Sequence, residues 1–289
     1  MSMIAPGLEP CYQNEAWVAL IAKNAGCISI EAQNYGLIRE GAGNAVLRAI
    51  PVPQLRDDYI LVRTLAIALN PTDWTTPDAV GDDGTLVGCD YAGIMEEVGK
   101  AVKKPFKKGE RIARFGHRGN DANPENGAFA RYIAIKGNLQ IHIPDSVSFE
   151  AACTVGVGVT TTGVCTLLCA QIAAAACGEG QDPHGSTATE TITSQFAKLL
   201  GLKVVTTCSP KHFRLIKELG ADLIYDYMRR SLHDTKVGEK TRAATDGKLK
   251  NVFDTVNVET STAICADTIG PDSGVYCDLL GLDCPRLDI

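Results

Sequence analysis

The chain has 289 residues, of which 45% are hydrophobic and 21% charged, with a formal net charge of −6. That length allows a sizeable core and two domains, and that composition is globular. A net negative charge argues against nucleic acid as the main partner, and the short basic runs Lys103-Lys104 with Lys107-Lys108, and Arg229-Arg230, read as solvated surface, the alternative being contact with an acidic partner protein. The eleven cysteines contain no CxxC pair, and no Cys/His group has zinc-ligand spacing. Several sit in apolar runs, where a thiol packs as a small hydrophobe. An odd count without a signal-peptide pattern points to a reducing, cytoplasmic setting.

Residues before Ala16 show no periodicity. From Trp17 the pattern is one of short strands: WVALIA, GCISIEA, YILVRTLAIAL after Pro51-Val52-Pro53, YAGIMEEVG, RIARFG, FARYIAI and QIHIP. Glycine and proline punctuate them, as in a small irregular β-barrel spanning 16–159. The stretch Ala32 to Ala45 reads as extra residues inside the first hairpin. Ala151 to Gly178 is uncharged and apolar, but it is built mostly of Gly, Ala, Thr, Val and Cys. It follows a helix start capped by Ser148 with Glu150 in its first turn, so a buried helix is expected there and not a membrane span.

The second domain, 160–289, carries the most informative segment, His184 to Tyr227. A small-residue turn, Gly185-Ser186-Thr187-Ala188-Thr189, leads into an amphipathic helix with Ile192, Phe196, Leu199 and Leu200 on one face and Gly201 as its stop. A β-branched strand, Lys203 to Thr207, follows. A second helix (Phe213, Ile216, Leu219) ends at Gly220, and Ala221 to Tyr227 reads as another strand. This alternation is that of a doubly wound nucleotide-binding unit, with small residues where a pyrophosphate would meet a helix N-terminus. An NAD-binding unit usually has Asp or Glu after the second strand. Here Ser209, Pro210, Lys211 and His212 stand there, which suits a 2′-phosphate and so NADPH; the alternative is an ordinary polar loop.

Several motifs narrow the reading further: Leu69-Asn70-Pro71-Thr72-Asp73-Trp74, Gly88-Cys89-Asp90-Tyr91-Ala92-Gly93, Gly109-Glu110-Arg111-Ile112, Gly127-Ala128-Phe129-Ala130, Phe253-Asp254-Thr255 and Ser261-Thr262-Ala263-Ile264-Cys265. With the glycine turn and Thr207-Cys208-Ser209-Pro210, they resemble the zinc-independent medium-chain dehydrogenase/reductases. Within that superfamily they are most similar to the trans-acting enoyl reductases of fungal highly reducing polyketide synthases. The resemblance implies a GroES-like barrel followed by a Rossmann-type domain. It also implies NADPH-dependent reduction of an α,β-unsaturated acyl thioester on a carrier domain of a partner polyketide synthase or of its hybrid with a nonribosomal peptide synthetase. A monomer is expected, with no metal, because Gly88-Cys89-Asp90 replaces the Gly-His-Glu of the zinc enzymes.

Carried over by position, the resemblance places cofactor contacts at Thr72, Asp73, Trp74 and Thr75, and the pyrophosphate at Ser186, Thr187, Ala188 and Thr189. The 2′-phosphate falls at Ser209 to His212 with Tyr227, and the nicotinamide near Leu279 and Leu280. The acyl chain falls along Thr161, Thr162, Gly163, Val164, Cys165, Thr166, Leu167 and Leu168, a stretch that reads equally as interdomain core. Thr72 and Asp73 read equally as turn residues after Pro71.

Three departures stand against the family pattern. Thr75 occupies a position where the family commonly has lysine, so no catalytic residue is assigned. The run Gly178 to His184 before the glycine turn is too polar for the buried first strand of a parallel sheet. Leu167 to Ala176 reads as helix, and Glu190 would repel a pyrophosphate if it pointed inward. The third departure is the ending at Ile289, which is early for the family. Together these lead to the expectation of an incomplete nucleotide-binding domain in a shortened or mis-spliced member. The alternatives are a remnant that only docks on the synthase, or a quinone or small-enone reductase.

Overall fold

The computed structural model describes residues 33–73, 82–168, 174–176, 188–226, 236–256, 259–269 and 274–279. The chain divides into two compact units, Met1–Val157 and Gly158–Ile289. The two strands expected before Ala32 lie outside the described residues.

The first unit is antiparallel throughout. Strands β1 (Asn34–Arg39) and β2 (Ala45–Ile50) form a hairpin. The segment read as extra residues, Ala32 to Ala45, is therefore not an insertion from residue 33 onward: residues 34–44 supply β1 itself and the tight turn, where Gly41 and Gly43 take positive φ. The polar Asn34 and Gln33 and the paired glycines hide this strand from a hydrophobicity pattern. A five-stranded sheet follows in the order β6-β3-β4-β5-β7, from β3 (Tyr59–Ala68), β4 (Asp90–Val98), β5 (Arg111–Phe115), β6 (Tyr132–Lys136) and β7 (Ile141–His142). Its inward positions alternate as the pleat requires. Ile60, Val62, Tyr91, Met95, Ile112, Ile133 and Phe129 close the core, and the buried Tyr91 hydroxyl donates to Gln140 Oε1 at 2.6 Å. Helix α1 (Phe149–Cys153) begins as expected, with Ser148 Oγ accepting from Ala151 N–H. Ala152 and Cys153 pack on Ala66, Ala92 and Ala113.

The second unit holds α2 (Val157–Leu168, which starts at the last residue of the first unit), β8 (Ala174–Ala176), α3 (Ala188–Leu199), β9 (Val205–Cys208), α4 (Phe213–Glu218), β10 (Leu223–Asp226), α5 (Lys236–Ala244), β11 (Asn251–Asp254), α6 (Glu259–Thr268) and β12 (Val275–Cys277). All its strands are parallel, in the order β10-β9-β8-β11-β12. Counted along the chain that is 3-2-1-4-5, the doubly wound arrangement, with its topological switch between β8 and β11.

The first central strand is therefore present, contrary to expectation, and three alanines supply it, pairing with β9 on one side and β11 on the other. Alanine is a poor strand former and a good helix former, so the sequence disguises a position fixed by its neighbours. The stretch that reads as one buried helix is in fact split between α1, α2 and β8. No helix among the described residues is long and apolar enough to cross a membrane.

Helix α3 keeps its expected span and stop, with Gly201 at φ +76°, but turns a different face inward. Leu199 and Leu200 are 73% and 57% exposed, whereas Glu190, Thr193, Ser194 and Ala197 are buried. That set has the i, i+3, i+4, i+7 spacing of one helix face, carried mainly by polar side chains. Each of the first two has a hydroxyl partner in its own unit: Thr206 Oγ1 donates to Glu190 Oε1 at 2.5 Å, and Thr193 Oγ1 lies 3.1 Å from Thr162 Oγ1.

Candidate active site

In the first unit, the site residues gather where β3 runs out. After Leu69 the chain turns through Asn70-Pro71-Thr72-Asp73, and the turn is closed on itself. Asp73 N–H donates to Asn70 O at 2.8 Å, and Asn70 N–H donates to Asp73 Oδ2 at 2.7 Å. The Asn70 side-chain amide then reaches Asp90 Oδ2 on β4 at 3.0 Å. The other oxygen of Asp90 accepts the Val157 N–H at 2.8 Å. Arg118 braces the turn from outside. Its Nη2 donates to Thr72 O at 3.0 Å, its Nη1 to Cys89 Sγ at 3.2 Å, and its Nε lies 3.8 Å from Asp73 Oδ1.

Two glycines make this packing possible. A Cβ on Gly156 would lie 2.1 Å from Asp90 Oδ1, and one on Gly88 would lie 2.1 Å from the Phe129 ring. Gly88 also takes φ +93°, which side chains rarely adopt.

Burial dominates the electrostatics here. It pushes Asp90 up to about 6, against the pull of Asn70 and the Val157 N–H, and raises Asp73 against its bond from the Asn70 backbone. The same burial pushes the Cys89 thiol up to about 12, so it stays protonated at neutral pH. Among the described residues, no group of three or more His, Cys, Asp or Glu side chains is placed to hold a metal. Thr72 is exposed while Asp73 is turned inward, so the structure puts the Asp73 carboxylate into the turn's own hydrogen bonds. Trp74 and Thr75 lie outside the described residues.

In the second unit, the relevant groups sit at the carboxyl ends of the parallel strands, where doubly wound sheets bind their ligands. After β9 come Ser209 and a single 3-10 turn, Pro210–His212, with Lys211 exposed and His212 half-buried. Ser209 is 3% exposed, and among the described residues its Oγ has no hydrogen-bond partner. Cys208, just before it, is held as a thiol by burial, pushed up to about 12. Ala188 is the first residue of α3, and Thr189 O accepts from Thr193 Oγ1 at 2.7 Å. Glu190, which would oppose a pyrophosphate if aimed at it, carries its carboxylate to Thr206 on β9 instead. Ser186, Thr187, Tyr227 and Leu280 lie outside the described residues, while Leu279 is 37% exposed.

Sequence reasoning gave Asp254 no role, yet it organises the end of β11. This buried carboxylate accepts from Ser261 Oγ at 2.6 Å, Tyr276 OH at 3.2 Å and Val256 N–H at 3.0 Å. Burial raises the Tyr276 phenol, which therefore remains a donor. The signal was present in two matched motifs, Phe253-Asp254-Thr255 and Ser261-Thr262, whose spacing puts a carboxylate at a strand end before the first turn of a helix. Arg118 was missed as well, since nothing local in the sequence ties it to Thr72.

The stretch offered for an acyl chain does not present one face. Thr162 and Cys165 are buried within the second unit, Thr161 and Gly163 are half-buried, and Val164 is 51% exposed. The side chains of Thr166, Leu167 and Leu168 lie outside the described set.

An antiparallel β unit followed by a doubly wound parallel sheet is the architecture of the medium-chain dehydrogenase/reductases. Residues 56–145 match the alcohol dehydrogenase GroES-like domain. The fold resembles that of a mycobacterial protein solved in complex with NADPH (TM-score 0.68, 20% identity, covering 86% of this chain and 76% of that one). The trans-enoyl reductase TOXD of Cochliobolus carbonum is 46% identical over 82% of this chain and 80% of its own length. The trans-enoyl reductase ACTTS2 of Alternaria alternata is 42% identical over 88% of this chain and 74% of its own. The chain belongs to the trans-enoyl reductase family.

Proposed function

We propose that this chain reduces the α,β-double bond of an acyl thioester presented by a separate fungal polyketide synthase, or by its hybrid with a nonribosomal peptide synthetase, using NADPH. The observation that carries the cofactor choice is Ser209. Its buried hydroxyl, without a hydrogen-bond partner among the described residues, stands at the carboxyl end of β9 beside exposed Lys211. A 2′-phosphate would supply the missing acceptor and meet a cation, whereas a ribose 2′-hydroxyl would find no carboxylate in Ser209–His212. When bound, the dihydronicotinamide supplies a hydride for the β-carbon of the enoyl group.

This chain's own part is to position. Ser209, Pro210, Lys211 and His212, with Tyr227, would hold the adenosine phosphate, and Ser186 to Thr189 the pyrophosphate at the start of α3. Thr72, with Trp74 and Thr75, would approach from the barrel unit, on a turn that Asp73 and Arg118 fix. Leu279 and Leu280 would border the nicotinamide, and Thr161 to Leu168 the acyl chain. Thr75 brings a hydroxyl where a lysine is common in the family, so charge on the developing enolate would be met by hydrogen bonding alone.

The test is a fluorescence titration of the purified chain with NADPH and NADH, before and after Ser209→Glu. NADPH should bind at least tenfold more tightly to the natural chain, and the glutamate should abolish that margin. An unchanged margin would remove the 2′-phosphate assignment. Turnover of an enoyl thioester, but not of a small quinone, then fixes the substrate class.

A further inference from the structure

Cys165 on α2 and Cys277 at the end of β12 are separated by 112 residues in the chain, yet their sulfurs lie 3.5 Å apart. Both are thiols, packed with the fully buried Phe253. They differ in access: Cys165 is 7% exposed, whereas Cys277 is half-buried. An accessible thiol backed by a buried one is the arrangement that thiol–disulfide exchange needs, with one sulfur to be attacked first and one to resolve.

We propose that Cys165 and Cys277 are a disulfide-forming pair, closed by exchange with a low-molecular-weight disulfide such as oxidised glutathione. Cys277 loses its proton and attacks one sulfur of the glutathione disulfide, forming a mixed disulfide and expelling one glutathione thiolate. Cys165 then loses its proton and attacks the Cys277 sulfur, expelling the second. Two protein thiols are oxidised and one glutathione disulfide is reduced to two glutathiones, so electrons and protons balance. The product ties α2 to β12, a three-residue strand that pairs only with β11 at one edge of the described sheet.

The link would close a long loop, so it should raise the melting point of the unit that contains it. The rise expected is roughly 5–15 °C, reversed by dithiothreitol. The bond itself does not depend on which substrate the enzyme takes; only a change in enoyl turnover would.

The experiment is to expose the full natural chain to oxidised glutathione, alkylate the remaining thiols and map the peptides by mass, with a thermal melt before and after. A peptide pair joined through Cys165 and Cys277, absent after dithiothreitol, supports the proposal. Glutathione left standing on Cys277, a link from either cysteine to a different partner, or full alkylation of both would overturn it. Mapping on the natural chain needs no variant to fold. Cys277→Ser should then remove both the linked peptide and the rise in melting point.

Discussion

The Asn70 side-chain amide donates to Asp90 Oδ2 at 3.0 Å, while the other Asp90 oxygen takes the Val157 N–H at 2.8 Å. One buried carboxylate thus joins the turn after β3 to the backbone where α2 starts. A carboxylate at a helix start satisfies an otherwise orphan N–H and complements the helix dipole. The cost is desolvation, visible in the rise of Asp90 to about 6.

That rise fixes a pH dependence. Between about pH 4 and 6, Asp90 is protonated in the folded chain and ionised in the unfolded one, so folding takes up a proton. Stability through this group is therefore greatest below pH 4 and falls as pH rises through 6, by roughly 3 kcal/mol. Asp73 is shifted in the same direction, whereas lowered Asp222 acts oppositely. The clean observable is thus a difference between chains. Asp90→Asn keeps an acceptor for Val157 and lets Asn70 turn its amide over, so its stability should fall less between pH 4.5 and 7 than that of the natural chain. Parallel urea curves at the two pH values would contradict this.

Gly156→Ala should break the same link sterically. The new methyl would lie 2.1 Å from Asp90 Oδ1 and 2.9 Å from Arg114 O, which leaves no room for the carboxylate where it stands. A loss of about 2–4 kcal/mol is expected from overlap plus the displaced hydrogen bond. Because both changes act on one contact, Gly156→Ala should cost clearly less in an Asp90→Ala background. Additive costs would mean that the clash lies elsewhere.

Much of this fold was legible because its elements obey local rules. Strands β3 to β5 announce themselves by β-branched alternation, Ser148 and Glu150 mark a helix start, and Gly201 and Gly220 mark stops at positive φ. Strands β1 and β8 were hidden for the opposite reason. Asn34, Gly36 and three alanines carry little strand preference, and pairing on the completed sheet decides their state. The motif residues were readable as positions, but their roles were not. Whether Asp73 meets a ligand or its own turn depends on Arg118, 45 positions away and linked to the same turn through Thr72 O.

Arg118→Met tests that brace. Methionine keeps much of the stem's volume but removes the guanidinium that bonds Thr72 O and faces Asp73 and Cys89. Two buried carboxylates would lose their nearby cation, at an expected cost of about 2–4 kcal/mol in the melt. With Thr72 released, the Michaelis constant for NADPH should rise by roughly tenfold, about 1.4 kcal/mol. Arg118→Lys should recover part of the stability but little of the cofactor affinity, because an ammonium cannot reproduce the fork. Equal recovery of both would reduce the role of Arg118 to charge alone.

Glu190 and Thr206 make the last test, which asks whether the carboxylate near the start of α3 is held away from a pyrophosphate bound there. Thr206 Oγ1 donates to Glu190 Oε1 at 2.5 Å, and both side chains are buried. Thr206→Val preserves shape and removes that donor, so it should cost about 1–3 kcal/mol by leaving a buried acceptor short of a partner. Removing both groups together, as Thr206→Val with Glu190→Leu, should cost less than Thr206→Val alone, since no buried oxygen is then left short of its Thr206 donor. The cofactor gives the second readout. If the bond to Thr206 is what holds the carboxylate away from the pyrophosphate, Thr206→Val should weaken NADPH binding several-fold, and the double variant should restore it. Weak binding in both would show that the helix start itself had been disturbed.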